Sequence, residues 1–159
     1  MCRKSLVVAA IVLFFSSAAL TAQVRMTKPN DFTIELGGRC GIYCLGYQRT
    51  LSPNFGLEAG VSLLGGGSLE DSVMLFFLSG GGRLYLLKKN ATPYLSGGIV
   101  WASAGTSVFN TSGSLVYYYI SPGFEFRSDG GFVFRGGVNL LLIKGTFWIL
   151  PGIQLGVGF

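Results

Sequence analysis

Cys40 and Cys44, the adjacent pair Glu70 and Asp71, and the glycine triplets at 65–67 and 80–82 are where this sequence could do chemistry. The thiols do not have C-x-x-C spacing, and zinc would ask for four ligands where the chain offers two thiols and no histidine. They read either as a local disulfide across the tip of a first hairpin or as two small buried hydrophobes. Glu70 and Asp71 lie in a polar, glycine-rich stretch and read as a solvated loop. Neither glycine triplet opens a helix or precedes the Lys-Ser or Lys-Thr that a phosphate cradle needs. Without histidine, the usual acid, base or nucleophile partner of a hydrolase is missing. These observations point to no catalytic residues, no metal and no cofactor, and leave the placement of charge as the chemistry to explain.

The elements that place those charges begin after a leader. Arg3 and Lys4 form a positive head, residues 6–15 an unbroken apolar run, and residues 16–22 a small-residue region with Ala22 suited to cleavage. The apolar core is shorter than the roughly 20 residues of a spanning helix. The nearest downstream cysteine is Cys40, too late for a lipid anchor at the cleavage point. The expected organisation is a signal peptide over 1–22, a short N-terminal lead over 23–31 and one domain over 32–159. Loss of Arg3 and Lys4 leaves ten basic residues against seven acidic ones. The basic residues are scattered and not interleaved with aromatics, so nucleic acid is not an expected partner.

Beyond residue 23 the chain repeats one kind of phrase, an alternating run rich in Val, Ile, Leu, Phe, Tyr and Gly followed by a turn. The pattern predicts strands at 32–38, 42–51, 55–64, 73–87, 93–103, 115–127, 132–143 and 148–159. The connectors 52–54, 88–91 and 128–131 are compact turns, whereas 65–71 and 106–114 are longer, polar loops. Short turns at one end and longer loops at the other suit an eight-stranded antiparallel up-and-down transmembrane β-barrel. The loops around 39–41 and 144–147 are shorter than that rule expects.

The two faces of each strand decide between water and lipid. In the last strand Ile149, Pro151, Ile153, Leu155, Val157 and Phe159 share one face, while Leu150, Gly152, Gln154, Gly156 and Gly158 share the other. A soluble sheet would need abundant charge on its second face. Here that face is mostly glycine with occasional charges, which fits the cramped interior of a narrow barrel. The apolar face then looks at lipid. Inward positions also balance, Glu35, Glu58 and Glu125 against Arg83, Arg127 and Arg135. Gln48, Asn139 and Gln154 can fill the remaining hydrogen bonds, so a lumenal polar network is predicted. Aromatics gather near both ends of the strands, as interfacial girdles do, although Tyr94 and Trp148 alternate inward.

Residues 32–159 resemble the small bacterial outer-membrane β-barrel proteins, of the size of the OmpA transmembrane domain and of Bacteroidota-type barrel domains. The likeness is carried by the end of the chain, Ile153-Gln154-Leu155-Gly156-Val157-Gly158-Phe159, and by the phrases 42–51 and 55–63. It implies a Gram-negative cell envelope, an integral outer-membrane location and a monomer among lipid and lipopolysaccharide. It also implies that Ile153, Leu155, Val157 and Phe159 are read by the barrel assembly machinery. The functional expectation is a non-enzymatic structural or surface-interaction barrel. The alternatives are a narrow, porin-like passive channel and a soluble, lipocalin-like periplasmic binder whose apolar face points inward.

Overall fold

The computed structural model describes residues 24–67, 72–106 and 112–159. The expected leader lies outside them, as do Glu70 and Asp71.

Eight antiparallel strands close on themselves in sequence order: β1 (Asn30–Gly37), β2 (Tyr43–Ser52), β3 (Phe55–Gly67), β4 (Ser72–Tyr85), β5 (Ala91–Thr106), β6 (Ser112–Arg127), β7 (Phe132–Ile143) and β8 (Thr146–Gly158). The ring is completed where β1 pairs with β8, Phe32 opposite Val157 and Glu35 opposite Gln154. Closure leaves no strand edge with unpaired backbone groups, the condition a sheet must meet in hydrocarbon. One connector shows how local sequence sets register. The β7–β8 hairpin turns on Lys144 (φ 48°) and Gly145 (φ 81°), a two-residue turn with both φ positive, whose twist matches the strands it joins.

Some boundaries differ from the sequence expectation, for a common reason. β1 opens at Asn30, not at residue 32. The ladder between β5 and β6 continues to Gly105 opposite Ser112, and that between β3 and β4 to Gly67 opposite Ser72. Glycine and serine read as loop by composition, yet their backbones pair as well as any others when a neighbouring strand is already aligned.

Side chains sort by strand parity. Phe32, Ile99 and Ile120 are each more than half exposed, and large apolar residues stand outward on all eight strands. Asp31, Glu35, Glu58, Arg83, Glu125, Arg127 and Arg135 are buried inside. Tyr94 points inward, as its parity requires. Trp148 does not follow the expectation. It shares parity with buried Gly152 but is 56% exposed, because residues 144–149 rise past the end of the packed interior.

Two pieces outside the strands enter the lumen. At the short-turn end a helical turn, α1 (Val24–Thr27), buries Val24 and Arg25. At the opposite end the β1–β2 connection dips inward as a 3-10 turn over Gly38–Cys40, all three residues buried. Gly38 makes this possible. Its φ is +83°, and a Cβ there would lie 2.7 Å from Asn139 Nδ2 and hard against Glu35 Oε1. Gly38→Ala is therefore expected to lift the turn from the lumen at a cost of about 1–3 kcal/mol. The check is a lower urea midpoint for the folded barrel, and an unchanged midpoint would refute the packing described.

Candidate functional site

The inward face of the barrel carries two linked ionic clusters, each joining neighbouring strands and also strands that share no backbone hydrogen bond. In the cluster nearer the short turns, Glu125 on β6 is the hub. Its Oε2 accepts from Arg135 Nε at 2.6 Å and from the Tyr85 hydroxyl at 3.2 Å. Its Oε1 accepts from Arg25 Nη2 at 2.9 Å and lies 3.5 Å from Arg127 Nε. Asp31 on β1 receives Arg127 through both carboxylate oxygens, at 2.7 and 2.6 Å, and Arg135 Nη2 at 2.6 Å. Gln48 donates to the Tyr85 hydroxyl, and Gln154 Oε1 accepts from Arg135 Nη1 at 3.3 Å.

In the second cluster, Glu58 on β3 accepts from Arg83 Nη2 at 2.5 Å, from Arg39 Nη1 at 2.5 Å and from the Tyr119 hydroxyl at 2.7 Å. Glu35 pairs with Arg39 Nε at 3.2 Å. The guanidinium of Arg83 lies 4.4 Å from the Tyr94 ring centroid, and its Nη2 reaches Gln154 Oε1 at 3.5 Å, which joins the two clusters. Above this cluster, towards the long loops, Val100, Tyr117, Tyr119 and Leu141 form a small apolar plug.

Strand pairing creates some of these contacts, since Glu125 and Arg135 are register partners, as are Arg135 and Gln154; the diameter of the barrel creates the others. Eight strands leave an interior that side chains fill, so an arginine on one wall reaches a carboxylate on another. Out of water, each such charge persists because an opposite charge and hydrogen bonds meet it.

All nine residues of the expected polar network, Glu35, Gln48, Glu58, Arg83, Glu125, Arg127, Arg135, Asn139 and Gln154, are buried in the interior. Three charged members were not foreseen. Asp31 carried a readable signal, since it shares parity with Thr33 and Glu35. Arg25 and Arg39 carried none, because they lie outside any strand and the foreseen charges already balanced three against three. Arg39 is held from all sides, with its carbonyl accepting the Tyr117 hydroxyl at 2.6 Å. Arg25 enters from the short-turn mouth, its guanidinium 3.7 Å from the Tyr85 ring centroid and bonded to the Pro53 and Lys89 carbonyls at 3.3 and 3.1 Å.

Ile153, Leu155, Val157 and Phe159 all face outward along the end of the chain. Cys40 and Cys44 are free thiols, both buried. Among the described residues, no group of three His, Cys, Asp or Glu side chains converges as a metal site. The lipocalin-like alternative asked for an apolar face turned inward; the face turned inward is ionic, and the apolar one is outside.

The fold of this chain is similar to that of a solved bacterial barrel. The N-terminal β-barrel domain of Pseudomonas aeruginosa OprF superposes with a TM-score of 0.65 at 12% identity, over 82% of this chain and 96% of that one. This chain has the OprF barrel-domain fold. Ail, the attachment invasion locus protein of Yersinia pestis, is also similar, at 14% identity over 81% of this chain and 93% of that one, with a TM-score of 0.46. Its structure in a phospholipid bilayer nanodisc gives 11% identity, 82% and 98% coverage and a TM-score of 0.46. No protein-family model matches the chain, and no curated protein matches it.

The contacts rank the members of the network. Without Arg25 the interior holds Asp31, Glu35, Glu58 and Glu125 against Arg39, Arg83, Arg127 and Arg135, which is neutral. Glu125→Ala should cost on the order of 3–5 kcal/mol, since it leaves Arg25 without an ion-pair partner and Asp31 alone against Arg127 and Arg135. Arg25→Ala should cost clearly less, because Glu125 keeps Arg127 and Arg135. Urea unfolding in lipid vesicles checks the order, and equal losses for the two variants would contradict it.

Proposed function

We propose that this chain is an integral outer-membrane β-barrel of the bacterial envelope, exported by a cleaved leader over 1–22, with a structural or surface-interaction role and no catalytic activity. The observation that carries the proposal is the inverted distribution of side chains. Ionic residues fill the inside and are paired there, while leucine, isoleucine, valine and phenylalanine cover the outside. A water-soluble monomer exposes apolar patches of at most a few hundred Å². A continuous apolar belt around a closed barrel instead matches hydrocarbon as its solvent.

Other features agree with that solvent. Near the short turns Phe32 stacks on Phe159 at 5.7 Å and tilts against Tyr47 at 5.4 Å, while the Tyr47 hydroxyl donates to Asn30 Oδ1 at 2.8 Å. An apolar ring with a polar tip suits the membrane interface. Towards the loops, Phe76 and Trp101 meet edge to face at 5.9 Å. In this reading the surroundings are outer-membrane lipid and lipopolysaccharide, and outward Leu155, Val157 and Phe159 on the final strand are what the assembly machinery engages.

The narrow-channel alternative fares less well. Arg25 with its carbonyl partners stands across one mouth, and Arg39, Tyr117 and Leu141 fill the other. The lumen is therefore read as a stay and not as a pore.

Two measurements test the proposal. Val138 stands outward midway along β7, and Val138→Arg should cost about 2–4 kcal/mol in a bilayer. On a soluble surface the same change would stay within about 0.5 kcal/mol. In planar bilayers the wild-type protein should give no sustained open conductance. Recovery from the soluble fraction without detergent would overturn the membrane assignment, and steady porin-like currents would overturn the filled lumen.

A further inference from the structure

We infer that Cys40 and Cys44 are joined by a disulfide in the exported protein, forming a covalent latch that keeps the Arg39-bearing turn inside the barrel. The inference rests on the reading of the chain as exported, and its test separates the two.

Three placements carry it. Both cysteines are completely buried, at 0% exposure, on the lumenal side of the β1–β2 connection. They also share one small pocket with Ser79. Cys40 Sγ lies 3.9 Å from Ser79 Oγ, and a Cβ on Gly60 would come within 2.7 Å of both Cys44 Sγ and Ser79 Oγ. The turn itself brings the two together. Gly41 between them has φ +88° with open space around it, so the chain reverses directly after Cys40 and returns Cys44 to the same wall.

What the latch would secure is equally specific. Residues 38–40 turn inward between β1 and β2, joined to β2 by Gly41 and Ile42, and they position Arg39 between Glu35 and Glu58. A bridge from Cys40 to Cys44 adds a second covalent tie between that turn and the first residues of β2. It thereby fixes the cation on which two buried carboxylates depend.

The chemistry balances with an oxidant of the kind the cell envelope supplies. Two S–H bonds break and one S–S bond forms. The two protons and two electrons pass to the disulfide of a thiol–disulfide oxidoreductase, which leaves as its dithiol. Since neither sulfur is reachable in the closed barrel, the exchange takes place on the translocated chain before the strands close.

The experiment uses the full-length chain carrying Cys2→Ser, so that Cys40 and Cys44 are its only cysteines. Cells are lysed in excess alkylating reagent, the lysate is fractionated, and the protein is denatured with a maleimide before and after reduction, then weighed intact. The latch predicts a membrane-fraction protein that takes up no maleimide before reduction and two afterwards. Two additions before reduction, or a reducible species of twice the mass, would overturn the latch while leaving the membrane reading intact. Recovery of the protein from the cytosol would overturn both. A Cys40→Ser, Cys44→Ser chain provides the functional arm. Its urea midpoint should match that of the reduced protein and lie below that of the oxidised one, and equal midpoints for all three would deny the latch any hold on the turn.

Discussion

Charges closed off from water must neutralise one another, and in a barrel only eight strands around they have nowhere else to look. Glu58 holds arginines from β4 and from the β1–β2 turn, together with a tyrosine from β6. Asp31 on β1 reaches across to Arg127 on β6 and Arg135 on β7. These two carboxylates are thus struts across the lumen, tying β3 to β6 and β1 to β6 and β7, walls that share no backbone hydrogen bond. A strand slipped by one residue would carry its charges to the lipid side and strand their partners inside. The network therefore specifies register as well as occupying space.

The two mouths are closed in different ways, and the difference is electrostatic. Arg39 is indispensable to charge balance, since Glu35 has it as its ion-pair partner and Glu58 shares it with Arg83. Arg25 is the fifth arginine against four interior acids. It is satisfied by Glu125 together with two carbonyls and the face of Tyr85, and its removal leaves a neutral interior. The cap at the loop end belongs to the folded interior, whereas the stopper at the turn end is an addition to an interior already complete.

That distinction also marks what the sequence could disclose. Strand number, order and facing were legible because period-2 alternation and turn residues are local signals, and neighbouring strands in an up-and-down barrel pair in order. The wall members of the network other than Asp31 followed from parity alone; Asp31 has the same parity but lies before the expected start of β1. Arg25 and Arg39 were not legible, because a residue outside a strand has no parity to reveal which side it faces. Loop lengths were overestimated at 65–71 and 106–114 for a related reason: glycine and serine look like loop in composition but extend a ladder whose neighbours are already set. Trp148 has inward parity yet stands exposed, since parity says nothing about where the filled interior ends.

Where the interior ends bears on what the barrel presents outside. β5 and β6 have 16 residues each. At roughly 3.3 Å per residue and a tilt near 40°, such strands reach on the order of 40 Å along the barrel axis, against an apolar band of about 25 Å. The excess cannot lie at the short-turn end, where Phe126 and Phe132 already stand beside a four-residue connection. It extends the β5–β6 hairpin beyond the band at the loop end, where Gly105 and Gly113 have open space around them. That hairpin is freed from the constraint governing the rest of the molecule, for it has neither a lumen to fill nor a lipid to face. In the surface-interaction reading proposed above, contacts outside the protein fall to this rim, clear of the ionic struts below.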